Sequence, residues 1–369
     1  MKILYIFTFD YSFKIWKEVG ILDREIEYFN GLKNDNIELT IFTFGDGSDE
    51  DLLKDYNIKV YPIYNYFKKP KYKIFRILKS FTFPFFIKKN IDFDLIKQNQ
   101  LQGSWISIIL KIITGKKLIV RTGYDVFLFS IKEKKSYFKR LLFYLLTQLS
   151  ISFSNIYTVT SVDDKNFIEK YFFVRKNKVQ VRRNWVQFNN KRVELNERNQ
   201  DCVISVGRLE KQKNYLKLID LLKGSSKKLL IFGEGSEKKI ILDYAKKEGV
   251  EVEIKDPIEN TELTALMRGY KFYITTSLYE GNPKTVLEAM GAGCIVIAPK
   301  NKNNFEVIKN KFNGFLYDLN TLPNFDFIFN LQLDQLNTIS SNAHETIKKN
   351  YSLNNFLIEE IGEFKEISI

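Results

Sequence analysis

Two glutamates, Glu280 and Glu288, stand eight positions apart in the stretch SLYEGNPKTVLEAMGAG, Ser277 to Gly293. Gly281, Asn282 and Pro283 follow the first and predict a turn. Proline suits the first turn of a helix, and the run Thr285, Val286, Leu287, Glu288, Ala289, Met290 predicts that helix. The segment KFYITTSLYE brings a strand to Glu280. Glu280 then precedes the helix, where its carboxylate and nearby amides, including that of Lys284, can meet hydroxyl groups. Glu288 sits within the helix and leans towards the same end. A carboxylate suits vicinal hydroxyls because each oxygen accepts a hydrogen bond. Taken alone, Glu288 equally suits a solvent-facing position paired with Lys284 four residues earlier.

Two further strand ends carry polar chemistry. In VISVGRLEKQKNYLKLIDLL, Val203 to Leu222, a strand is predicted to end at Gly207, with a helix starting near Asn214. Glycine lets a ligand approach the backbone, the helix start offers free N–H groups, and Arg208 and Lys213 add two positive charges. The combination suits a diphosphate, as it also suits an ordinary solvated basic turn. In LLIFGEGSEKKIILDYA, Leu229 to Ala245, a strand runs into Gly233, Glu234, Gly235 and Ser236. That pattern fits a ligand loop or a tight turn with a serine cap.

These loops need strands and helices to hold them. A chain of 369 residues predicts two domains. In the first half, KILYIFTF, IELTIFTF, DLIKQNQ, KLIVRTG and NIYTVTS read as strands alternating with helices such as ILDREIEYFNGLKND. After a polar, aperiodic linker at Gln187 to Asp201, CVISVG, KLLIFGEG, VEVEIKD, KFYITTS and CIVIAP restart the pattern, and the tail reads as two helices. Such alternation predicts doubly wound parallel sheets, which bind ligands beyond the carboxyl ends of their strands.

Composition bounds the rest. Cys202 and Cys294 open apolar runs and read as buried core residues in a reducing compartment, with no disulfide framework. His344, the only histidine, reads as lying on a solvated helix face, which excludes imidazole catalysis. The N-terminus begins directly with a strand pattern and lacks a signal-peptide cleavage site. No run of 18 apolar residues occurs. Residues 1–190 hold 32 Lys+Arg against 19 Asp+Glu, and residues 191–369 hold 25 of each, so the entire net charge of +13 lies in the first half. This asymmetry points to an anionic partner. KKPKYKIFRILKSFTFPFFIKKN, Lys68 to Asn90, interleaves cations with aromatics, and KEKKSYFKRLLFYLLTQL, Lys132 to Leu149, is basic then apolar. Both suit an anionic membrane surface, or ordinary helices with solvated lysines. No zinc spacing or nucleic-acid recognition motif is present, so no nucleic-acid partner is expected.

EGNPKTVLEAMGAG resembles the E-x7-E signature of the retaining GT-4 glycosyltransferases. VGRLEKQKN resembles their basic loop, FGEGSE their next strand end, and NNFEVIKNKFNGFLYD a later segment. The four occur in the family's order over Val203 to Asp318. The resemblance implies a GT-B fold, two Rossmann-like domains facing a cleft. Residues 1–186 would bind the acceptor, with a terminal helix, 353–369, crossing back to them, and residues 187–352 would bind the donor. It implies a UDP- or GDP-sugar as donor substrate and no required metal or other cofactor. Gly207, Arg208 and Lys213 would hold the diphosphate with the Gly233 and Gly235 loop. Glu280 would take the donor sugar, assisted by Gly281, Asn282, Pro283, Lys284 and Thr285. Glu288 would take the ribose, and the segment with Asp256 and Ile258 the nucleobase. Glu280, Arg208 and Lys213 would carry catalysis.

The first domain departs from that pattern. The loop after the first strand, FDYSFKIWKEVGILDRE, has only Gly20 at the glycine-rich place, and RTGYD carries Thr122 where many relatives have histidine, with Asp125 retained. The expectation is a cytoplasmic enzyme, peripheral on the inner face of the cell membrane, that glycosylates a saccharide or lipid-linked saccharide in bacterial surface polysaccharide or lipopolysaccharide synthesis. The alternatives are a non-catalytic protein reusing the fold to bind a membrane or polyanion, and a GT-B sugar-nucleotide epimerase.

Overall fold

The computed structural model describes residues 1–123, 126–188, 193–280, 283–321, 323 and 325–368. The chain forms two compact units, Met1–Arg183 with Phe356–Ile369, and Asn184–Asn355.

In the first unit, β1 (Lys2–Ile6), β2 (Glu38–Thr43), β3 (Lys59–Pro62), β4 (Leu95–Gln98), β5 (Lys117–Arg121), β6 (Ile156–Val159) and β7 (Val179–Val181) form one sheet, ordered β3-β2-β1-β4-β5-β6-β7. Every pairing is parallel. The apolar runs read as strands are buried almost throughout, as expected of strands covered on both faces. β3 and β7, the two edges, are short strands that the apolar runs did not mark.

The loop after β1 is filled by a short helix, Phe13–Glu18, capped by the Ser12 hydroxyl. Phe13 and Trp16 from this helix are buried, and Trp16 stacks on Phe7 at 4.1 Å between ring centres. Aromatic packing thus fills this loop, and Gly20, at φ +70°, follows the helix.

The helix Leu353–Ser368 supplies this unit with its last packing element from Phe356 onwards. Lys97 of β4 is buried and lies 2.7 Å from the Glu360 carboxylate, which also accepts from the Tyr28 hydroxyl. Arg182 pairs with Glu359 and Glu363. Both of these buried cations therefore meet a carboxylate on the helix, as buried charge requires.

In the second unit, β8 (Asn199–Val206), β9 (Lys228–Phe232), β10 (Val252–Lys255), β11 (Tyr270–Ile274), β12 (Ile295–Pro299) and β13 (Phe315–Tyr317) form a parallel sheet ordered β10-β9-β8-β11-β12-β13. β8 begins at Asn199, inside the stretch read as linker, and Leu195 of that stretch is already core. Cys294 is fully buried, whereas Cys202 is only half-buried, at the register where β8 meets the edge of β9.

His344 corrects the sequence reading. It lies on the helix Leu333–Asn350 but is buried, with its Nδ1 2.8 Å from the Gly291 carbonyl oxygen and its ring 4.5 Å from that of Phe188. The imidazole binds the last turn of the neighbouring helix, Lys284–Gly291. A polar residue on a largely apolar helix stripe is buried here because that turn leaves carbonyls without helical partners.

Candidate functional site

The strand order of the second sheet reverses between β8 and β11, and that is where a doubly wound sheet opens a crevice at its carboxyl end. The β8 loop and the β11 loop emerge side by side at that point, although 67 residues separate Lys213 from Glu280.

The β8 loop and the loop after β9 meet at three glycines. Gly207 has φ +153°, a region that favours glycine, and its amide donates to Phe232 O at 3.0 Å. Gly233 packs so closely on Gly207 that a methyl there would overlap the Gly207 carbonyl. Gly235, also at φ +153°, would bring a methyl within 2.5 Å of Leu209 O. Leu209 N donates to Glu234 O at 2.8 Å, and Glu210 accepts from both the amide and the hydroxyl of Ser236. Those two bonds hold the Glu210 carboxyl below its usual range. Gly233 and Gly235 are thus required by the contact between two loops, whatever else the loops bind.

A short 3-10 turn, Lys211–Lys213, and Asn214 in the left-handed region lead into the helix Tyr215–Leu222. The β11 loop is laced to this turn. The Thr276 hydroxyl lies 2.9 Å from the carbonyls of both Lys213 and Asn214, Leu278 N donates to Gln212 O at 2.9 Å, and the Gln212 side chain donates to Tyr279 O at 2.8 Å. The Lys213 ammonium ends 2.6 Å from the Glu280 carboxylate, with both side chains largely buried. Asn303, on the helix Lys302–Val307, donates to Glu280 O at 2.5 Å. Arg208 is exposed, and its guanidinium lies 3.4 Å from the Gln212 side-chain oxygen rather than beside Glu280.

Pro283 caps the helix Lys284–Gly291, and Thr285 on its first turn accepts a bond of 2.8 Å from the Tyr273 hydroxyl, which burial makes hard to ionise. Gly281 and Asn282 lie outside the described residues. Glu288 is 5 % exposed, so it does not face solvent. It accepts from the Asn260 amide at 2.8 Å, and Asn260 opens the helix Asn260–Met267. Asp256 is exposed and 3.7 Å from Lys238, while Ile258 packs against the core beside Leu263 and Met267.

The structure therefore joins Lys213 to Glu280, places Glu288 under Asn260, and leaves the side chains of Arg208 and Asp256 outside those two groups. Gln212, Asn260 and Asn303 were missed in the sequence. Asn260 sits two residues beyond Ile258 at a helix start, where asparagine is a common residue, so its type alone carried little signal. In the first unit Thr122 is buried, with its amide donating to Thr158 O at 2.8 Å, and Asp125 lies outside the described residues. Among the described residues no group of three or more His, Cys, Asp or Glu could hold a metal ion.

Solved structures share this fold over the whole chain. They include HepE from Anabaena in complex with UDP, at TM-score 0.76, 16% identity and coverage of 99% of this chain and 100% of that one. Sucrose-phosphate synthase from Thermosynechococcus elongatus superposes at TM-score 0.78, with 15% identity and coverage of 100% and 99%. The fold is that of the GT-B glycosyltransferases. Residues 186–324 match the family described as Glycosyl transferases group 1. That match falls within the second unit, apart from its first residues and its last helices. Among curated proteins, the amylovoran biosynthesis glycosyltransferase AmsD of Erwinia amylovora is 33% identical over 159 residues, which is 42% of each chain. The Escherichia coli UDP-Gal:alpha-D-GlcNAc-diphosphoundecaprenol alpha-1,3-galactosyltransferase is 26% identical over 110 residues, 29% of this chain and 27% of that one. The chain thus matches less than half the length of either curated relative.

Proposed function

We propose that this chain is a retaining glycosyltransferase that moves a sugar from a UDP- or GDP-sugar to a glycan or lipid-linked saccharide in bacterial surface polysaccharide or lipopolysaccharide synthesis. The observation that carries the reading is the Lys213–Glu280 pair, 2.6 Å apart at the sheet's switch point. It sets a cation for a diphosphate beside a carboxylate for sugar hydroxyls.

In this reading the bond between the anomeric carbon and the phosphate oxygen breaks, and negative charge grows on the departing diphosphate. Lys213 and Arg208 neutralise that charge more strongly in the transition state than before it. Glu280 orients the sugar and Glu288 the ribose. The leaving phosphate takes the acceptor's proton, and the acceptor oxygen bonds to the face just vacated, which retains the anomeric configuration. The relatives' names support the substrate class: one names UDP-Gal and a diphosphoundecaprenol-linked acceptor, and another names a glycosyltransferase of amylovoran biosynthesis. The cationic first half supports a peripheral position on the inner face of the cell membrane.

The test is a panel of nucleotide sugars screened by thermal shift, followed by incubation of the responding donor with saccharide and lipid-linked acceptors and NMR of the product anomer. A raised melting temperature with UDP- or GDP-sugars and an axial product from an axial donor are expected. No donor response overturns the reading, an inverted anomer overturns retention, and an epimerised donor without transfer assigns the epimerase activity instead.

A further inference from the structure

On one side of the first sheet, the helices Lys73–Ser80, Phe83–Asn90, Ser104–Thr114 and Tyr137–Phe153 pack side by side. The Trp105 ring nitrogen donates to the Ser80 hydroxyl at 2.8 Å, Lys88 donates to Ile113 O at 2.9 Å, and Ser150 donates to Ser104 at 2.8 Å. The layer is thus tied together through its polar atoms, yet large apolar side chains stand on its outer surface. Ile74, Phe75, Leu78 and Phe85 are 58, 56, 58 and 61 % exposed. Ile74, Phe75 and Leu78 recur at spacings of three and four along the first of these helices, which keeps them together on one face, and Phe85 stands exposed on the next. Leu141, Leu145 and Leu149 repeat that arrangement along the long helix, again exposed. Large apolar side chains gathered on adjacent helices mark a surface that something covers.

The charge around that surface selects the occupant. Lys68, Lys69, Lys71, Lys73, Lys88 and Lys89 are all exposed around the first helix pair. A second group, Lys132, Lys134, Lys135 and Lys139, leads into the long helix and is also exposed. No acidic residue occurs between Asp55 and Asp92, nor between Glu133 and Asp163. A second copy of the chain, docked face to face about a two-fold axis, would set these lysines against their own equivalents. An anionic lipid surface accepts both features, since acyl chains take up the apolar stripe while lysine stems lie along it and place their ammonium groups among phosphates.

We infer that the outer face of these helices, centred on Phe75, Leu78 and Phe85 and extended by Leu141, Leu145 and Leu149, seats the protein on an anionic phospholipid bilayer. This deepens the peripheral location proposed above by naming the surface that makes the contact. Vesicle binding is read without any sugar transfer, so its failure leaves the donor-site reading intact.

The experiment is co-sedimentation of the full chain with phosphatidylglycerol vesicles and with phosphatidylcholine vesicles, at low and high salt. Binding to the anionic vesicles alone, weakened by salt, is expected. The double variant Phe75→Glu/Leu78→Glu should lower partitioning at least tenfold with its melting temperature unchanged, because both side chains already meet water. Lys71→Gln should lower it about fivefold, the share of one cation near such a surface. Failure to bind phosphatidylglycerol overturns the inference, as does undiminished binding by the double variant. A dimer in sedimentation velocity that the double variant dissolves assigns the face to a second copy and overturns it too.

Discussion

The Lys213 ammonium lies 2.6 Å from the Glu280 carboxylate, and each belongs to a loop at the carboxyl end of a neighbouring central strand. Neither group is idle without a ligand, because each neutralises the other while both are largely buried. In the proposed reading, a diphosphate entering beside Lys213 would replace a carboxylate with a more highly charged partner and free Glu280 to accept from sugar hydroxyls. Lys213→Ala should lower the transfer rate by ~10²–10³, the usual loss for one electrostatic stabiliser. Arg208→Ala should act in the same direction. Steady-state kinetics with the donor found by thermal shift checks both, and unchanged turnover in the two variants would remove them from the catalytic assignment.

Glu288 depends on Asn260. The 2.8 Å bond satisfies a carboxylate that is 5 % exposed. Asn260→Ala should destabilise the second unit by roughly 1.5–3 kcal/mol, the range for a hydrogen bond to a charged group. Asn260→Asp, which sets a second carboxylate against the first, should cost at least as much at neutral pH. Urea denaturation reads the loss. If Glu288 takes the ribose as proposed, Glu288→Ala should raise the donor KM with a smaller effect on kcat, since the ribose is remote from the breaking bond.

Gly233 and Gly235 make a test of backbone contact against ligand contact. Gly233→Ala forces a methyl into the Gly207 carbonyl and should cost at least ~1–3 kcal/mol. Gly235→Ala adds the left-handed penalty, ~1–2 kcal/mol, to a 2.5 Å approach to Leu209 O. Gly224→Ala is the control, with φ +74° and no atom within 4 Å of the added methyl, so only the backbone penalty applies. Melting temperatures without nucleotide should fall more for the first two than for the control. Equal falls in all three would show that the loop contact contributes little.

Lys97 gives the first unit a characteristic response to alkali. Burial holds its ammonium down to about 8, against an ordinary 10.5. Between those values the unfolded chain keeps a proton that the folded chain has released, so this group makes the fold more stable as pH rises through the window. Buried Tyr5 and Tyr28, whose hydroxyls burial raises well above 10, oppose this at the top of the range. The rise should therefore appear from about pH 8 and vanish in Lys97→Met, as chemical denaturation at a series of pH values reads directly. Lys97→Ala at pH 7 leaves Glu360 without its cation and should cost ~3–5 kcal/mol, and Lys97→Met with Glu360→Leu should recover most of that loss.

The alternation of apolar runs with helical spacing was enough to read two parallel sheets, because strands covered on both faces are apolar along their whole length. β3 and β7 escaped that reading: Lys59–Pro62 and Val179–Val181 are short edge strands with polar residues among the apolar ones. The loops at Gly207 and Glu280 were legible as equipped strand ends, but the direct pairing of Lys213 with Glu280 was not. It follows from β8 lying next to β11, and strand order is set by packing between distant segments. The same holds for Asn260 under Glu288 and for His344 against Gly291, where the partner is 28 and 53 residues away. A glycine's role was ambiguous for a related reason: Gly233 and Gly235 fit a ligand loop or a tight turn in one dimension, and the loop-on-loop contact that requires them shows only in three.

The first unit is assembled from both ends of the sequence, and this orders events during translation. When β1 to β7 have left the ribosome, Lys97 and Arg182 are already committed to the sheet's interior, yet Glu360 and Glu363 have not been synthesised. The whole second unit must emerge before those countercharges arrive, so the earlier half waits, incompletely closed, for the later half. A stop codon placed before Phe356 would strand two cations in a half-built core, and the product should be held by chaperones or degraded even though every strand of both sheets is present.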